Sequence, residues 1–112
     1  MQYALAIYSD PVQADAMSEA ERESVHAEYL ALLDDRRFVG GTQLQPAETA
    51  TSVRVVDGRT LMTDGPFADT KEVLGGIFLI EADNLDEAVE LAARVPAARL
   101  GGAVEVRPVV QR

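Results

Sequence analysis

The first forty residues alternate between an extended and a helical pattern of hydrophobic positions. Residues 2–8 form an almost unbroken apolar run closed by the turn residues 9–11, which predicts a buried strand. A helix is predicted from Ser18, because Ser18 and Glu21 have the spacing of a capping box. Gly40-Gly41 is taken as the end of this helical segment, which spans about residues 18–36. Its apolar stripe consists of Val25, Tyr29, Leu32 and Leu33.

The rest of the chain has the pattern of a hairpin, a strand, a helix and a last strand. Residues 52–56 and 59–63 flank Asp57-Gly58, a pair favoured in type I′ turns. A loop over 64–73 leads to a strand at 76–82. A helix over 85–95 follows, with Asn84 or Asp83 as its cap, with Leu85, Val89 and Ala92 on its apolar side, and with Pro96 beyond its end. The last predicted strand is 103–109.

The predicted order β-α-β-β-β-α-β indicates an α+β protomer with a ferredoxin-like arrangement. Two helices of this length cover only one face of a small sheet. Residues 3–8 and 77–80 are nevertheless apolar at both alternating positions, which is typical of strands buried on both faces. We therefore expect a homodimer in which two sheets pack face to face.

Composition narrows the class of protein. The chain has 112 residues, of which 47% are hydrophobic, and this predicts a single domain over 1–112. The net charge of −9 argues against nucleic acid as a partner. No apolar run is long enough for a membrane helix and no leader pattern precedes the first strand, so we expect a cytoplasmic protein without a membrane partner. With one histidine and no cysteine, we expect no metal site and no cofactor.

The charged residues are unevenly distributed. Acidic side chains concentrate in residues 10–35 and 81–90, and we interpret both blocks as solvated faces. Lys71 is the only lysine. It has two interpretations: an ion pair with Glu72 or Asp69 on the surface, which is favoured, or a contact with a substrate anion.

Two features have the chemistry of a site. His26, the only histidine, lies at the border of the first helix's apolar stripe, where it is either a surface residue without a task or an acid/base group. Asp64 opens the segment Asp-Gly-Pro-Phe. An aspartate often accepts the N–H two residues later, but Pro66 has none, so Asp64 loses its common local partner although it can still accept the Phe67 N–H. Gly65 is expected to be extended before Pro66, and a carboxylate presented this way can orient an imidazole.

The run from Leu61 to Gly76, LMTDGPFADTKEVLGG, resembles the signature of the DGPF group of the YCII-related family. Residues 1–10, 85–96 and 104–108 resemble the opening strand, closing helix and closing strand of that family. The resemblance implies a dimeric α+β barrel and a His–Asp pair in a cleft, which corresponds here to His26 and Asp64. Family members are mostly of unknown function, and some occur beside genes for extracytoplasmic-function sigma factors.

Two functions from different classes follow. In the first, the protein is an enzyme that performs proton transfer or elimination on a small molecule, as an isomerase, a lyase or a dehydrochlorinase-like enzyme. His26 is its base and Asp64 orients the ring. The predicted substrate-binding residues are Tyr8, Tyr29, Pro66, Phe67 and Lys71. In the second, the protein is a non-catalytic ligand-sensing or regulatory dimer that acts with a sigma factor.

Overall fold

The computed structural model describes residues 1–112 as a four-stranded antiparallel sheet, helices on one of its faces, and a separate two-stranded hairpin. The strands are β1 (Gln2–Ser9), β2 (Phe38–Gln43), β3 (Thr51–Val56), β4 (Arg59–Asp64), β5 (Val73–Glu81) and β6 (Ala103–Pro108). The helices are α1 (Pro11–Ala16), α2 (Glu19–Leu32) and α3 (Leu85–Ala93), with short 3₁₀ turns at Ala47–Thr49 and Pro96–Ala98. None of the helices combines the length and apolar character needed to cross a membrane.

The sheet order is β2-β5-β1-β6, and every neighbouring pair is antiparallel. The connection from β1 to β2 runs through α2, and that from β5 to β6 runs through α3. Each of these connections returns the chain to the sheet in the direction of its first strand. This is the ferredoxin-like arrangement, and the predicted α+β class is confirmed.

The hydrophobic core lies between the sheet and the helices. Alternate residues of β1, namely Tyr3, Leu5 and Ile7, face this side, and Leu5 is fully buried together with Ile80 of β5. The helical layer contributes Leu32, Ala88, Leu91, Ala92 and Val95. Because side chains alternate along a strand, the residues between these core positions must face the opposite side of the sheet.

The strand β2 was not predicted. The sequence prediction placed the end of the first helix at Gly40-Gly41, whereas α2 ends at Leu32 and both glycines lie within β2. Glycine pairs usually favour caps over strands, which explains the error. Here Gly41 is required by close packing, since a Cβ at this position would lie 2.6 Å from the Phe78 ring.

The short helix α1 was also missed, because Asp10 and Pro11 were interpreted as turn residues. The carboxylate of Asp10 accepts the Val12 N–H at 3.0 Å and caps the helix, and Pro11 occupies its first turn. An aspartate before a proline is a known helix start, so the signal was present in the sequence.

Other predicted boundaries and faces are partly confirmed. The capping box of Ser18 and Glu21 is present, and Asn84 caps α3. The last helix, however, buries Ala88, Leu91 and Ala92, whereas the predicted stripe residues Leu85 and Val89 are exposed, as is Leu33 after α2. The strand β5 begins at Val73, three residues earlier than expected.

The side of the sheet away from the helices is uncovered. We call it the open face and define it by Ala4, Ala6, Tyr8, Leu74, Ile77 and Leu79. Its three large aliphatic side chains on β5 are 36–37% exposed. The apolar character of both faces of β1 and β5 thus matches the sequence pattern, and one of the two faces has no cover within the chain.

The predicted hairpin is confirmed. The strands β3 and β4 pair in a regular antiparallel register from Thr51–Asp64 to Val56–Arg59. Asp57 and Gly58 both have positive φ, 51° and 75°, as a type I′ turn requires. The hairpin is a sheet of its own and adds no strand to the main sheet.

Candidate functional site

The Asp-Gly-Pro-Phe segment begins at the last residue of β4. Gly65 has a φ of 102°, so the prediction of an ordinary extended residue before Pro66 is wrong. Two hydrogen bonds fix this conformation: the Gly65 N–H donates to the Ala50 carbonyl at 2.7 Å, and the Ser52 hydroxyl donates to the Gly65 carbonyl at 2.8 Å. Only glycine tolerates this φ readily, so Gly65 turns the chain away from β4 directly after Asp64.

The carboxylate of Asp64 is exposed and accepts no hydrogen bond from its own protomer. It also takes part in none of the ion pairs of the chain. Pro66 lacks the N–H that an aspartate two residues earlier would ordinarily capture. Asp64 is therefore a free acceptor at the base of the hairpin.

His26 lies on α2 and its side chain is exposed. It makes no hydrogen bond or ion pair, and so none to Asp64. One protomer by itself therefore does not bring these two residues into contact. Leu30 and Leu33, four and seven residues later on the same side of the helix, are each 53% exposed.

The two tyrosines predicted for the pocket lie on opposite sides of the sheet. Tyr8 belongs to the open face, where it is half-buried beside Leu74. Tyr29 packs on the helix side with its ring centroid 6.4 Å from that of Phe78. Burial raises the pKa of the Tyr29 phenol, consistent with a place in the core. A single small cleft in one protomer therefore cannot hold both tyrosines.

Pro66 and Phe67 are exposed beside the hairpin. The Arg54 guanidinium lies over the Phe67 ring at 4.6 Å from its centroid, a cation–π contact. This contact and the hydrogen bond from Ser52 hold the segment after Gly65 against one side of the hairpin.

Lys71 pairs with an acid, but with neither of the two expected. Its Nζ is 3.9 Å from Oδ2 of Asp10, so the predictions of Glu72 or Asp69 as partner are wrong. Asp10 is 4% exposed and is the only buried charged residue. Its interpretation as part of a solvated acidic face is wrong as well. The ion pair connects the segment before β5 to the end of β1, close in sequence to Tyr8.

A second charged cluster joins the end of α2 to α3. The Arg37 guanidinium donates to Asp35 at 2.7 Å and to Glu87 at 3.2 Å, and Arg94 donates to Asp35 at 3.1 Å. The hydrogen bonds from Arg37 hold the pKa of Asp35 well below its usual range and raise that of Arg37. The pKa of Glu87 is lowered by the hydrogen bond from the Asp83 N–H and, to a smaller extent, by the hydrogen bond from Arg37. Parts of both acidic blocks are thus structural rather than purely solvated.

The two best-defined concavities of the protomer lie away from the predicted site. Two shallow grooves of about 320 and 350 Å³ lie near the chain termini and between α2 and Arg99, and neither contains a predicted site residue. No three side chains are grouped as ligands for a metal ion. Every buried polar side-chain atom has a hydrogen-bond partner.

Comparison with known proteins gives the same family along the whole chain. The profile of the YCII-related domain matches residues 1–112. An uncharacterised protein of Rhizobium meliloti (strain 1021) is 36% identical over 116 aligned residues, which cover 97% of this chain and 92% of that protein. The fold, the motif and these two matches agree, and the chain belongs to the YCII-related family.

Proposed function

We propose that this protein is a homodimeric small-molecule enzyme that performs proton transfer through His26 and Asp64. Its two open faces pack together, and the cleft at their margin receives the substrate. His26 removes a proton from carbon or a hydroxyl group, and Asp64 orients the ring and stabilises the imidazolium that forms. In an isomerisation the His26 imidazolium returns the proton to a different atom of the substrate. In an elimination the electron pair of the broken C–H bond forms a double bond and expels a leaving group from the neighbouring carbon as an anion.

The accessible surface area of the protomer is the main observation that supports the proposed homodimer. The accessible surface is 7985 Å², whereas a compact monomer of 12.1 kDa exposes about 6,000 Å². Stable homodimers bury about 2,000–5,000 Å² in total, so an excess of roughly 2,000 Å² in each protomer matches what a second copy covers. The radius of gyration, 15.8 Å against about 13 Å for a compact chain of this length, agrees.

The pairing of His26 with Asp64 is proposed to form across the subunit interface, since the two make no contact in one protomer. Tyr29 of α2 contacts Phe78 of β5, and the next strand, β2, is the edge of the sheet. The hairpin leaves the sheet after this same edge strand. In the proposed face-to-face dimer the hairpin of one subunit extends past this edge strand toward the partner's α2.

The test is an NMR titration of the single histidine. Asp64→Asn keeps the shape of the side chain and removes its charge, so the His26 titration should move to lower pH, because a nearby carboxylate favours the imidazolium. Asp69→Asn, an exposed aspartate of the following segment, is the control and should leave the titration unchanged. If Asp64→Asn leaves the His26 titration unchanged, the proposed pairing of the two residues is wrong.

A second candidate function rests on a different observation. Leu30 and Leu33 form an exposed apolar pair beside His26, on the helix layer and away from the open face. Such a patch supports a regulatory dimer that presents α2 to another protein, and a sigma factor is the partner that the family resemblance suggests. Leu30→Gln with Leu33→Gln should abolish binding to the partner in this case, and because these changes add no charge beside His26 they should leave its titration intact.

A further inference from the structure

The hairpin has one apolar face that its own chain leaves uncovered. Cross-strand partners share a face, so Val53 with Met62 and Val55 with Thr60 lie on the same side. The three large side chains Val53, Val55 and Met62 are 60%, 68% and 73% exposed. We call this set the hairpin apolar face. Asp64, paired with Thr51, lies at the base of the same face.

The reverse face of the hairpin is partly covered by its own protomer, at Ser52 and Arg54, whereas Val56 and Leu61 on the same face are each 48% exposed. Ser52 donates to the Gly65 carbonyl, and Arg54 covers the Phe67 ring. The two faces therefore differ in degree: the reverse face contacts residues 65 and 67, and the hairpin apolar face has the more exposed apolar side chains. An isolated two-stranded hairpin is marginally stable in water, so an uncovered apolar face of this size calls for a partner.

A second copy of the chain fits this face best. Apart from Asp64 the hairpin apolar face carries no charge, and the open face as defined on β1 and β5 is likewise uncharged. On the neighbouring strand β6, Glu105 and Arg107 lie on the same side of the sheet and form an ion pair with each other. The excess surface of the protomer lies within the range that one subunit of a homodimer buries. A net charge of −9 opposes docking on an anionic lipid surface.

We infer that the hairpin apolar face docks on a second copy of this chain and carries Asp64 into a site shared by both subunits. Asp64 and Met62 are two residues apart on one strand, so contact of Met62 with the partner places the Asp64 carboxylate at the same interface. The part of this inference that concerns Asp64 rests on the proposed function. Each subunit would then contribute His26 to one site and Asp64 to the other.

The docking is tested with single cysteines, since the chain has none of its own. Met62→Cys lies on the hairpin apolar face, and Val56→Cys lies on the reverse face of the same hairpin. In a sample that sediments as a dimer, a maleimide should label Met62→Cys at least about 10-fold more slowly than Val56→Cys, because only the former is covered. Equal labelling rates in a dimer would overturn the inference, and a sample that stays monomeric would overturn it together with the proposed dimer.

A mixed dimer tests the shared site. An isotope-labelled Asp64→Asn protomer is combined with an excess of unlabelled His26→Ala protomer that retains Asp64. If Asp64 acts on the partner, the His26 titration of the labelled chain returns to its wild-type position. The His26 titration could instead shift in Asp64→Asn and stay shifted in the mixed dimer. This result would overturn the inference of a shared site but would still support the proposed pair within one subunit. If the His26 titration is the same in wild type and Asp64→Asn, both the shared site and the proposed His26–Asp64 pair are contradicted.

Discussion

At the scale of single residues, Pro66 determines what Asp64 can bind. Asp64 accepts no hydrogen bond from its own chain, and the residue whose N–H it would ordinarily capture is a proline. The turn itself is made by Gly65 and its two hydrogen bonds, so Pro66 is not needed to form it. Pro66 is therefore expected to matter for the site more than for stability.

Pro66→Ala should restore a local donor for Asp64 at a stability change within about 1 kcal/mol. The new N–H can be captured by the carboxylate, so the His26 titration should move toward its position in Asp64→Asn. Pro46→Ala, another loop proline that no aspartate precedes by two residues, is the matched control. An unchanged His26 titration in Pro66→Ala would contradict the competition for Asp64.

At the scale of elements, the Asp35 cluster fastens α3 to the chain between α2 and β2. Arg37 reaches both Asp35 and Glu87, and Arg94 reaches Asp35 from the other side. Because the side chain of Asp35 is 18% exposed and has two arginine partners, this network is less screened than a single surface pair. It should therefore contribute measurably to stability.

Asp35→Asn should lower the free energy of unfolding by about 1 kcal/mol at pH 7. The folded state depresses the pKa of Asp35, so its contribution is present above the unfolded value of about 4 and is lost as the pH falls toward the folded value. The difference between wild type and variant should therefore narrow below about pH 4. Urea unfolding at pH 7 and pH 3, at one protein concentration, measures it.

Asp34→Asn is the control for this prediction, because Asp34 is exposed and takes part in no ion pair. It should change the free energy of unfolding little at either pH. A constant difference between wild type and Asp35→Asn across the same pH range would show that the charge of Asp35 is not what stabilises the cluster.

The elements also show how much of the structure could be predicted from patterns in the sequence. Apolar runs, a capping box and an Asp-Gly turn each depend on neighbouring residues, and they predicted β1, the start of α2 and the hairpin. The strand β2 depends on a distant contact instead: Gly41 belongs to a strand because Phe78 packs against it, and nothing near Gly41 in sequence reports this.

The candidate site was less predictable for the same reason. The free carboxylate of Asp64 follows from Pro66, two residues away. The separation of Tyr8 from Tyr29 follows from which face of the sheet each residue meets, and the Lys71–Asp10 ion pair joins segments sixty residues apart in the chain. The burial of Asp10 had a local signal in the following proline, but its partner had none.

At the scale of the whole molecule, the open face is expected to hold the dimer together. Ile77→Asp places a carboxylate at its centre, opposite Ala6 and Thr42. An unpaired charge buried in an interface costs about 3 kcal/mol or more, so the dissociation constant should rise about 100-fold. Sedimentation over a concentration series measures it, with circular dichroism to establish that the protomer remains folded.

Val89→Asp is the matched control for the open face. Val89 is 49% exposed on α3, which lies on the helix side of the sheet. The same change of chemistry there should leave the dissociation constant unaltered. A dimer that survives Ile77→Asp as well as it survives Val89→Asp would place the interface elsewhere on the molecule.

The uncovered hairpin separates two groups of apolar residues in this chain by what their substitution should affect. Val53, Val55 and Met62 are mostly exposed within the protomer, so polar residues at these positions should weaken association more than folding. Leu5 and Ile80, in contrast, are held by folding alone, and the two groups should tolerate substitution under different conditions.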